Sequence, residues 1–276
     1  MTDFGERERT MPVIGNHTKA VKASTTPTEV SLAVILTYER PGLLTATVDS
    51  LRAASPDLRF VIYDDGSESQ EKKDELKAIW ERGGISVSEE PHRGLIRSWV
   101  KIFGDFVSWS FKPTDGIVLL EDDLLFAKGW DDTLLKMAQG TAALGLKPGA
   151  MTCLRCHETP QSQVLNLNGV EAYQSMQHGF QVNLIPAYVF NKHWFYEEAA
   201  KNAEAGRHGI DVWFVGGLSH RLGLTSMMCC ESLVAHVGAG NSIAGKQGFE
   251  SFNGMGYNLP PELLREAALA TSAIQN

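Results

Sequence analysis

Three consecutive acidic residues, Glu121-Asp122-Asp123, are the strongest chemical signal in the sequence. They follow the apolar run 116–120, which is typical of a buried strand. Adjacent carboxylates raise one another's pKa unless a cation offsets their charge. Mg²⁺ and Mn²⁺ prefer such oxygen ligands and keep coordination positions open for phosphate oxygens. The motif therefore predicts a metal–diphosphate site, with a solvated acidic turn as the alternative.

Two further polar clusters also follow short apolar runs. Residues 37–40 (TYER) come after the run 31–36, and residues 64–67 (DDGS) come after the run 58–63. Turn chemistry could explain either cluster alone, since Asp, Gly and Ser favour turns. Ligands of open α/β sheets, however, bind beyond the carboxyl ends of the strands. Polar clusters at three strand ends therefore predict one shared binding site.

The elements that must position these clusters alternate between strand and helix in the first half of the chain. Strands are predicted at 31–36, 58–63, 85–88 and 116–120, and helices at 43–54, 68–82 and 95–107. This order predicts an α/β fold with a Rossmann-like, doubly wound sheet.

After residue 150 the pattern is mixed, and the back half is predicted to be irregular α+β. Its predicted strands are 150–155, 179–190 and 227–235, and its predicted helices are 192–205, 210–222 and 261–270. We predict a single domain over 30–276, with a front half at 30–130 and a back half at 131–276. The polar residues 1–29 show no helical or strand period and are predicted to form a disordered arm.

The composition is that of an ordinary globular protein. The 276 residues are 43% hydrophobic and carry a net charge of −8, which argues weakly against a stable nucleic-acid partner. No run of 18 apolar residues and no secretory signal is seen, so we predict no transmembrane segment and a cytoplasmic location. Cys153, Cys156 and His157 match a haem-attachment pattern, and with Cys229-Cys230 a zinc site could be drawn, but buried free cysteines fit the context and spacing better.

The front half resembles the glycosyltransferases of the GT-A fold, similar to family 2. The resemblance rests on residues 34–41 (VILTYERP), 61–67 (VIYDDGS) and 118–123 (VLLEDD), which occur in the family's order. The acidic triad is also similar to that of the N-acetylglucosaminyltransferases with this fold. The resemblance covers residues 31–130 and implies a GT-A fold and a divalent cofactor, Mn²⁺ or Mg²⁺. It also implies that residues 30–130 form a nucleotide-sugar-binding half and residues 131–276 an acceptor half.

The resemblance also implies roles for individual residues of the front half. In the family, Asp65 would accept a hydrogen bond from the base, Asp122 would lie near the ribose, and Asp123 would bind the metal. The residues implied to bind the nucleotide are Thr37, Tyr38, Arg40, Asp65, Arg93, Glu121 and Asp122.

In the back half, three residues complete the predicted site. Asp211 opens a predicted helix and is the candidate base for the acceptor hydroxyl, with an N-cap role as the alternative. Trp213, two residues later, is predicted to lie against the acceptor sugar or base. His236 resembles a further metal ligand of GT-A enzymes, and a purely structural histidine is the alternative.

The sequence thus predicts a metal-dependent glycosyltransferase, a hexosyl- or N-acetylhexosaminyltransferase, that uses a nucleotide-diphosphate sugar, UDP foremost, with inversion. A saccharide or glycoconjugate acceptor is favoured over a modified DNA base, which the negative net charge does not support. One alternative is a nucleotidyltransferase, although residues 37–41 lack its usual Gly-rich basic loop. Another is a non-catalytic protein that binds nucleotide sugars or carbohydrates.

Overall fold

Strands and helices alternate through the first half of the chain, as the sequence predicts. A computed structural model describes residues 25–82, 86–89, 91–109, 111–156, 160, 162–175, 180–206, 209–237 and 258–274. The first-half elements are β1 (Glu29–Thr37), α1 (Leu43–Ala54), β2 (Phe60–Asp64), α2 (Gln70–Glu81), β3 (Ser86–Glu89), α3 (Leu95–Ser108) and β4 (Asp115–Glu121). Residues 1–24 of the predicted N-terminal arm lie outside the described residues.

The second half contains shorter strands and four helices among the described residues. They are β5 (Leu124–Phe126), α4 (Trp130–Ala143), β6 (Pro148–Thr152), β7 (Val164–Leu167), β8 (Val170–Gln174), β9 (Val182–Pro186), a 3₁₀ turn (Ala187–Val189), α5 (His193–Glu204), α6 (Ile210–Leu222), β10 (Thr225–Cys229), β11 (Val234–His236) and α7 (Pro261–Ile274). None of the helices described is both long and apolar enough to cross a bilayer.

Nine of these strands form one mixed sheet in the order β3-β2-β1-β4-β9-β6-β10-β8-β7. The first four are parallel, and their order 3-2-1-4 is that of a doubly wound sheet. Strand β9 runs antiparallel to both β4 and β6, so it joins the two halves of the sheet. These findings confirm the predicted α/β fold class.

Helices cover both faces of the sheet, which explains why its central strands are apolar throughout. On one face, the apolar stripes of α1, α2 and α4 pack on the sheet, with Leu44, Val48 and Leu51 of α1 at helical spacing. On the other face, α3, α5 and α6 bury a cluster of aromatic rings around Phe103 and Phe214. The sheet is therefore buried on both sides, and its binding edge lies at the strand ends.

The predicted strand 227–235 is wrong, because the structure divides it between two sheets. Strand β10 pairs with β6 and β8 of the large sheet, whereas β11 pairs with β5 in a separate two-stranded sheet. Between them the chain turns, and Ser232 Oγ accepts a hydrogen bond from the Arg155 amide. Glu231 and Ser232 interrupt the apolar residues of 227–235 at this turn, which is the local signal that the prediction of one strand passed over.

Several smaller expectations also need correction. Helical spacing from Leu76 favours Trp80 on the buried stripe of α2, but Trp80 is 60% exposed, and the buried residues of this helix are Lys72, Leu76 and Ile79. The predicted strand 179–190 is shorter, since β9 gives way to the 3₁₀ turn after Pro186. The expectation of free cysteines is confirmed, and three of the four are buried. His157 of the haem-attachment pattern lies outside the described residues.

Candidate metal and donor site

The three polar clusters meet at one edge of the sheet because the strands that precede them are parallel and in register. Leu36 of β1 lies opposite Glu121 of β4, and Thr37 lies opposite Asp64 of β2. The Asp65 amide donates a hydrogen bond to the Thr37 carbonyl and extends this pairing. The carboxyl ends of β1, β2 and β4 therefore form a continuous polar edge.

A second structural element brings His236 to the same edge. The antiparallel pairing of β5 and β11 places His236 opposite Leu124, directly after the acidic triad. The Val237 amide donates to the Asp123 carbonyl at 2.9 Å and continues the ladder. Ligand atoms of Glu121, Asp123 and His236 lie within 4.8 Å of one another. This short ribbon thus completes a cluster that β4 begins.

The cluster contains buried polar atoms without hydrogen-bond partners. Asp123 Oδ1 and His236 Nδ1 are both buried and unpartnered within the part of the chain that the structure describes. His236 Nε2 lies 3.0 Å from Asp123 Oδ2 and 3.9 Å from Glu121 Oε2. Buried polar atoms are nearly always satisfied in proteins, so this donor set needs a further partner. Two carboxylates and an imidazole fit a divalent cation.

Burial and neighbouring charges raise the pKa values of Glu121 and His236 and lower that of Asp123. Burial, together with the charge of Asp123, raises the pKa of Glu121 to about 8. Burial alone would raise the pKa of Asp123, but His236 and Arg40 outweigh it and lower that pKa to about 2. Burial would lower the pKa of His236, but Asp123 and Glu121 raise it to about 9. Without a metal, a proton on His236 therefore offsets part of the negative charge.

Asp122 points away from this cluster and is held by the end of β1. Its carboxylate is completely buried and accepts hydrogen bonds from Thr37 Oγ1, at 2.5 Å, and from Arg40 Nη2. Arg40 Nη1 donates to Asp123 Oδ2 at 2.7 Å. The guanidinium therefore bridges both aspartates, and the left-handed backbone at Glu39 and Arg40 (φ 50° and 48°) forms the turn that brings it there.

Asp65 is also buried and holds the loop before α3. Its carboxylate accepts hydrogen bonds from the amides of Arg93 (2.9 Å) and Gly94 (3.0 Å) and from Ser98 Oγ. The ring of His92 in this loop stacks on Tyr38 with the centroids 4.5 Å apart. Tyr38 itself is 41% exposed, so the stacked pair offers an aromatic surface at the edge of the site.

Asp211 and Trp213 lie in the first turn of α6. The N-cap residue of this helix is Gly209, so the alternative of Asp211 as the N-cap residue is wrong. The charge of Asp211 contributes to the raised pKa of Glu121, which places Asp211 within electrostatic range of the cluster. Trp213 is half-buried and lines a groove of about 530 Å³ between α5 and α6, together with Phe195 and Gly216.

The sequence reasoning missed two charged residues beside the site, Lys72 and Glu75. Both lie on α2, and the Lys72 side chain is fully buried, with its ammonium 3.9 Å from Asp122 Oδ2. A signal was present, because Lys72 shares helical spacing with Leu76 and Ile79 and so falls on the buried face. A lysine in a buried stripe needs an acidic partner. The i,i+3 spacing indicates Glu75, but it does not indicate Asp122, which lies on another element.

Comparison with solved structures supports the fold. GalNAc-T7 with UDP, GalNAc and Mn²⁺ matches with a TM-score of 0.50 and 17% identity, over 73% of this chain and 42% of that chain. A mannosyltransferase from Pyrobaculum calidifontis with GDP-Man and Mn²⁺ matches at 0.47 and 15%, over 75% and 58%. S. aureus TarS, residues 1–349, matches at 0.48 and 11%, over 74% and 59%.

This chain thus spans between about two-fifths and three-fifths of the length of these structures. No protein-family model and no curated protein matches the sequence. The likeness to GalNAc-T7 covers 73% of this chain, and the observed order 3-2-1-4 of the first four strands is that of a doubly wound sheet. The chain therefore has the GT-A fold that its front half resembles.

Proposed function

We propose that this chain is a metal-dependent glycosyltransferase that moves a sugar from a nucleotide-diphosphate sugar, UDP foremost, to an acceptor hydroxyl. The buried cluster of Glu121, Asp123 and His236 carries this proposal, because it lies at the ligand-binding edge of a GT-A sheet and holds unpartnered ligand atoms. GalNAc-T7, which has the same fold, was solved with UDP, GalNAc and Mn²⁺.

Glu121, Asp123 and His236 would hold the ion, Mn²⁺ or Mg²⁺. When bound, the ion supplies positive charge that stabilises a leaving diphosphate. Arg40, whose guanidinium already bridges two aspartates of the site, would add a second positive charge on the side of β1. The stacked rings of Tyr38 and His92 offer an exposed face on which a nucleobase could stack.

In this proposal Asp65 and Asp122 do not contact the donor but hold the residues that would contact it. Asp65 holds the loop that carries His92 and Arg93, and Asp122 holds Thr37 and Arg40. Direct contacts with a base and a ribose, as the family resemblance implies, would require these buried carboxylates to exchange their present partners. Their burial therefore favours the supporting role.

On the acceptor side, we propose Asp211 as the base and Trp213 as part of the acceptor surface. Asp211 is close enough to act on the electrostatics of Glu121, and it is the second residue of α6 rather than its N-cap residue. A carboxylate there could take the proton of an acceptor hydroxyl as it attacks the anomeric carbon from the opposite face, which gives inversion. A saccharide or glycoconjugate suits the groove beside Trp213.

The decisive experiment is a donor screen with Mn²⁺ and with EDTA. Purified protein is incubated with a panel of UDP-, GDP- and dTDP-sugars, and released nucleotide and transferred or hydrolysed sugar are measured by mass spectrometry. We expect turnover of one donor class with Mn²⁺ and none with EDTA. The variant Asp123→Asn should lose about 10²-fold or more of this turnover, since it removes a ligand charge.

The exposed Asp132→Asn on α4 is the matched control and should keep wild-type turnover. Nucleotide-sugar binding without any turnover would instead identify a non-catalytic binding protein. If the protein binds no Mn²⁺ and neither binds nor turns over any donor in the panel, the proposed function is wrong.

A further inference from the structure

Lys72 is a fully buried charged residue that the proposed chemistry does not use. Its side chain is fully buried on the face of α2 that packs against the sheet. Lysine is almost never fully buried unless an acidic group pairs with it, because an isolated buried ammonium is very costly. The surroundings of Lys72 therefore explain why it is there.

Two carboxylates surround the Lys72 ammonium. Glu75 Oε2, one turn further along α2, accepts a hydrogen bond from Lys72 Nζ at 2.8 Å. Asp122 Oδ2, at the end of β4, lies 3.9 Å from the same nitrogen. Lys72 thus connects a residue of its own helix to the central acidic residue of the candidate site.

Glu75 in turn holds the start of α1. Its Oε1 accepts hydrogen bonds from the Gly42 amide (3.0 Å), the Thr45 amide (2.8 Å) and Thr45 Oγ1 (2.9 Å). The N-cap of α1 is Gly42, which has no side chain to satisfy the first amides of the helix. Glu75 supplies this cap from a neighbouring helix, and its charge also complements the helix dipole.

Three residues of the segment 37–45 therefore bind one network of charged side chains through hydrogen bonds. Thr37 binds Asp122, Arg40 binds Asp122 and Asp123, and Thr45 binds Glu75. Lys72 forms ion pairs with two of these carboxylates, Asp122 and Glu75. Removal of one charge from such a network leaves the opposite charges buried without compensation.

We propose that Lys72 is a positioning residue of the donor site, which holds Asp122 and Glu75 so that the segment 37–45 presents Tyr38 and Arg40 to the donor. The donor role of this segment rests on the proposed function. The positioning itself is a property of the contacts and is testable without turnover. Lys72 contacts none of the three residues assigned to the metal, so its effect on metal binding should be separate.

The test compares Lys72→Met with two variants of the same helix. Lys73→Met removes an exposed charge next to it, and Leu76→Ala destabilises the buried face without removing a charge. Each variant is measured for amide hydrogen exchange in a peptide covering residues 38–46, for Mn²⁺ binding by EPR, and for UDP binding in the presence of Mn²⁺ by calorimetry.

For Lys72→Met we expect faster exchange in residues 38–46 and about tenfold weaker binding of UDP, the loss typical of a supporting partner. Mn²⁺ alone should bind no more weakly than to the wild type, since a nearby positive charge has been removed. Lys73→Met should match the wild type in all three measurements. Leu76→Ala should lower the melting temperature and leave the ratio of UDP to Mn²⁺ affinity unchanged.

Wild-type exchange in residues 38–46 of Lys72→Met would overturn the proposal, and so would an equal loss of UDP affinity in Leu76→Ala. If Lys72→Met does not fold, Glu75→Gln is measured in its place. Its amide oxygen still accepts hydrogen bonds from Gly42 and Thr45, while the charge that binds Lys72 is gone. We expect the same faster exchange in residues 38–46, and wild-type exchange there would overturn the proposal. If the wild type binds Mn²⁺ but no nucleotide, the proposed function fails, and the exchange data alone decide the role of Lys72.

Discussion

At the scale of single residues, the candidate site depends on which carboxylates are free and which are already bound. Asp122 and Asp65 are buried and accept hydrogen bonds from neighbouring residues. Asp123 keeps one buried oxygen without a partner, next to an unpartnered nitrogen of His236. Asp122 and Asp123, which are adjacent in sequence, thus differ in their hydrogen-bond partners, because their neighbours in space differ.

The pH dependence of metal binding follows from His236 and Glu121. The pKa of His236 is raised to about 9 and that of Glu121 to about 8, so below these pH values a metal ion must displace their protons. Mn²⁺ affinity should therefore increase as pH rises toward 9, by about tenfold per pH unit for each proton released. Calorimetry at pH 7 in PIPES and in Tris measures the release, since these buffers have different ionisation enthalpies.

The variant His236→Gln should bind Mn²⁺ more weakly and release fewer protons. The exposed His220→Gln on α6 is the control and should behave as the wild type. A binding enthalpy that is the same in both buffers would contradict the assignment of His236 as a protonated ligand.

At the scale of elements, short segments matter as much as the long central strands. The three-residue strands β5 and β11 bring His236 to Asp123, and helix α4 follows β5 directly.

Helix α4 lies unusually close to β7 at the edge of the sheet. A Cβ atom on Gly140 of α4 would lie 2.7 Å from both the Cα and the Cβ of Leu167. This glycine is therefore needed for the close approach of helix and strand.

Two glycine substitutions test this contact. Gly140→Ala should destabilise the protein by about 1–3 kcal/mol, because the helix must move away from the β7 backbone. Gly104→Ala, in α3, has nothing within 4 Å of the new methyl group and should stabilise by up to about 1 kcal/mol. Urea denaturation of both variants measures the difference, and equal effects of the two substitutions would show that the contact with β7 is loose.

At the scale of the whole molecule, one sheet runs through both predicted halves of the chain. Strand β9 pairs with β4 on the donor side and with β6 on the other side, so residues from both halves reach the same edge. The net charge of −8 says little about this arrangement. The positions of the acidic residues matter more, because several carboxylates lie together at the strand ends, where a cation can offset their charge.

Metal binding should therefore stabilise the whole fold. At a Mn²⁺ concentration about 100 times the dissociation constant, the linkage relation adds about 2.7 kcal/mol to the free energy of unfolding. For a chain of this size the melting temperature should rise by roughly 5–10 °C. Differential scanning calorimetry with Mn²⁺ and with EDTA measures the change. The shift should vanish in Asp123→Asn, and a similar shift in that variant would place the metal elsewhere.

The sequence by itself determined the alternating elements of the front half, the strand-end clusters and the separate candidates Asp123, His236 and Asp211. The elements and clusters follow from local period or from a motif over a few residues, and the candidate roles of Asp123 and His236 rest on the resemblance to GT-A glycosyltransferases. Only the tertiary structure decided that His236 meets Asp123, that Lys72 lies behind Asp122, and that the run 227–235 divides between two sheets. These features arise from pairings between residues that are far apart in sequence. Local patterns do not encode them, because burial and hydrogen-bond partners are settled only when the elements pack together.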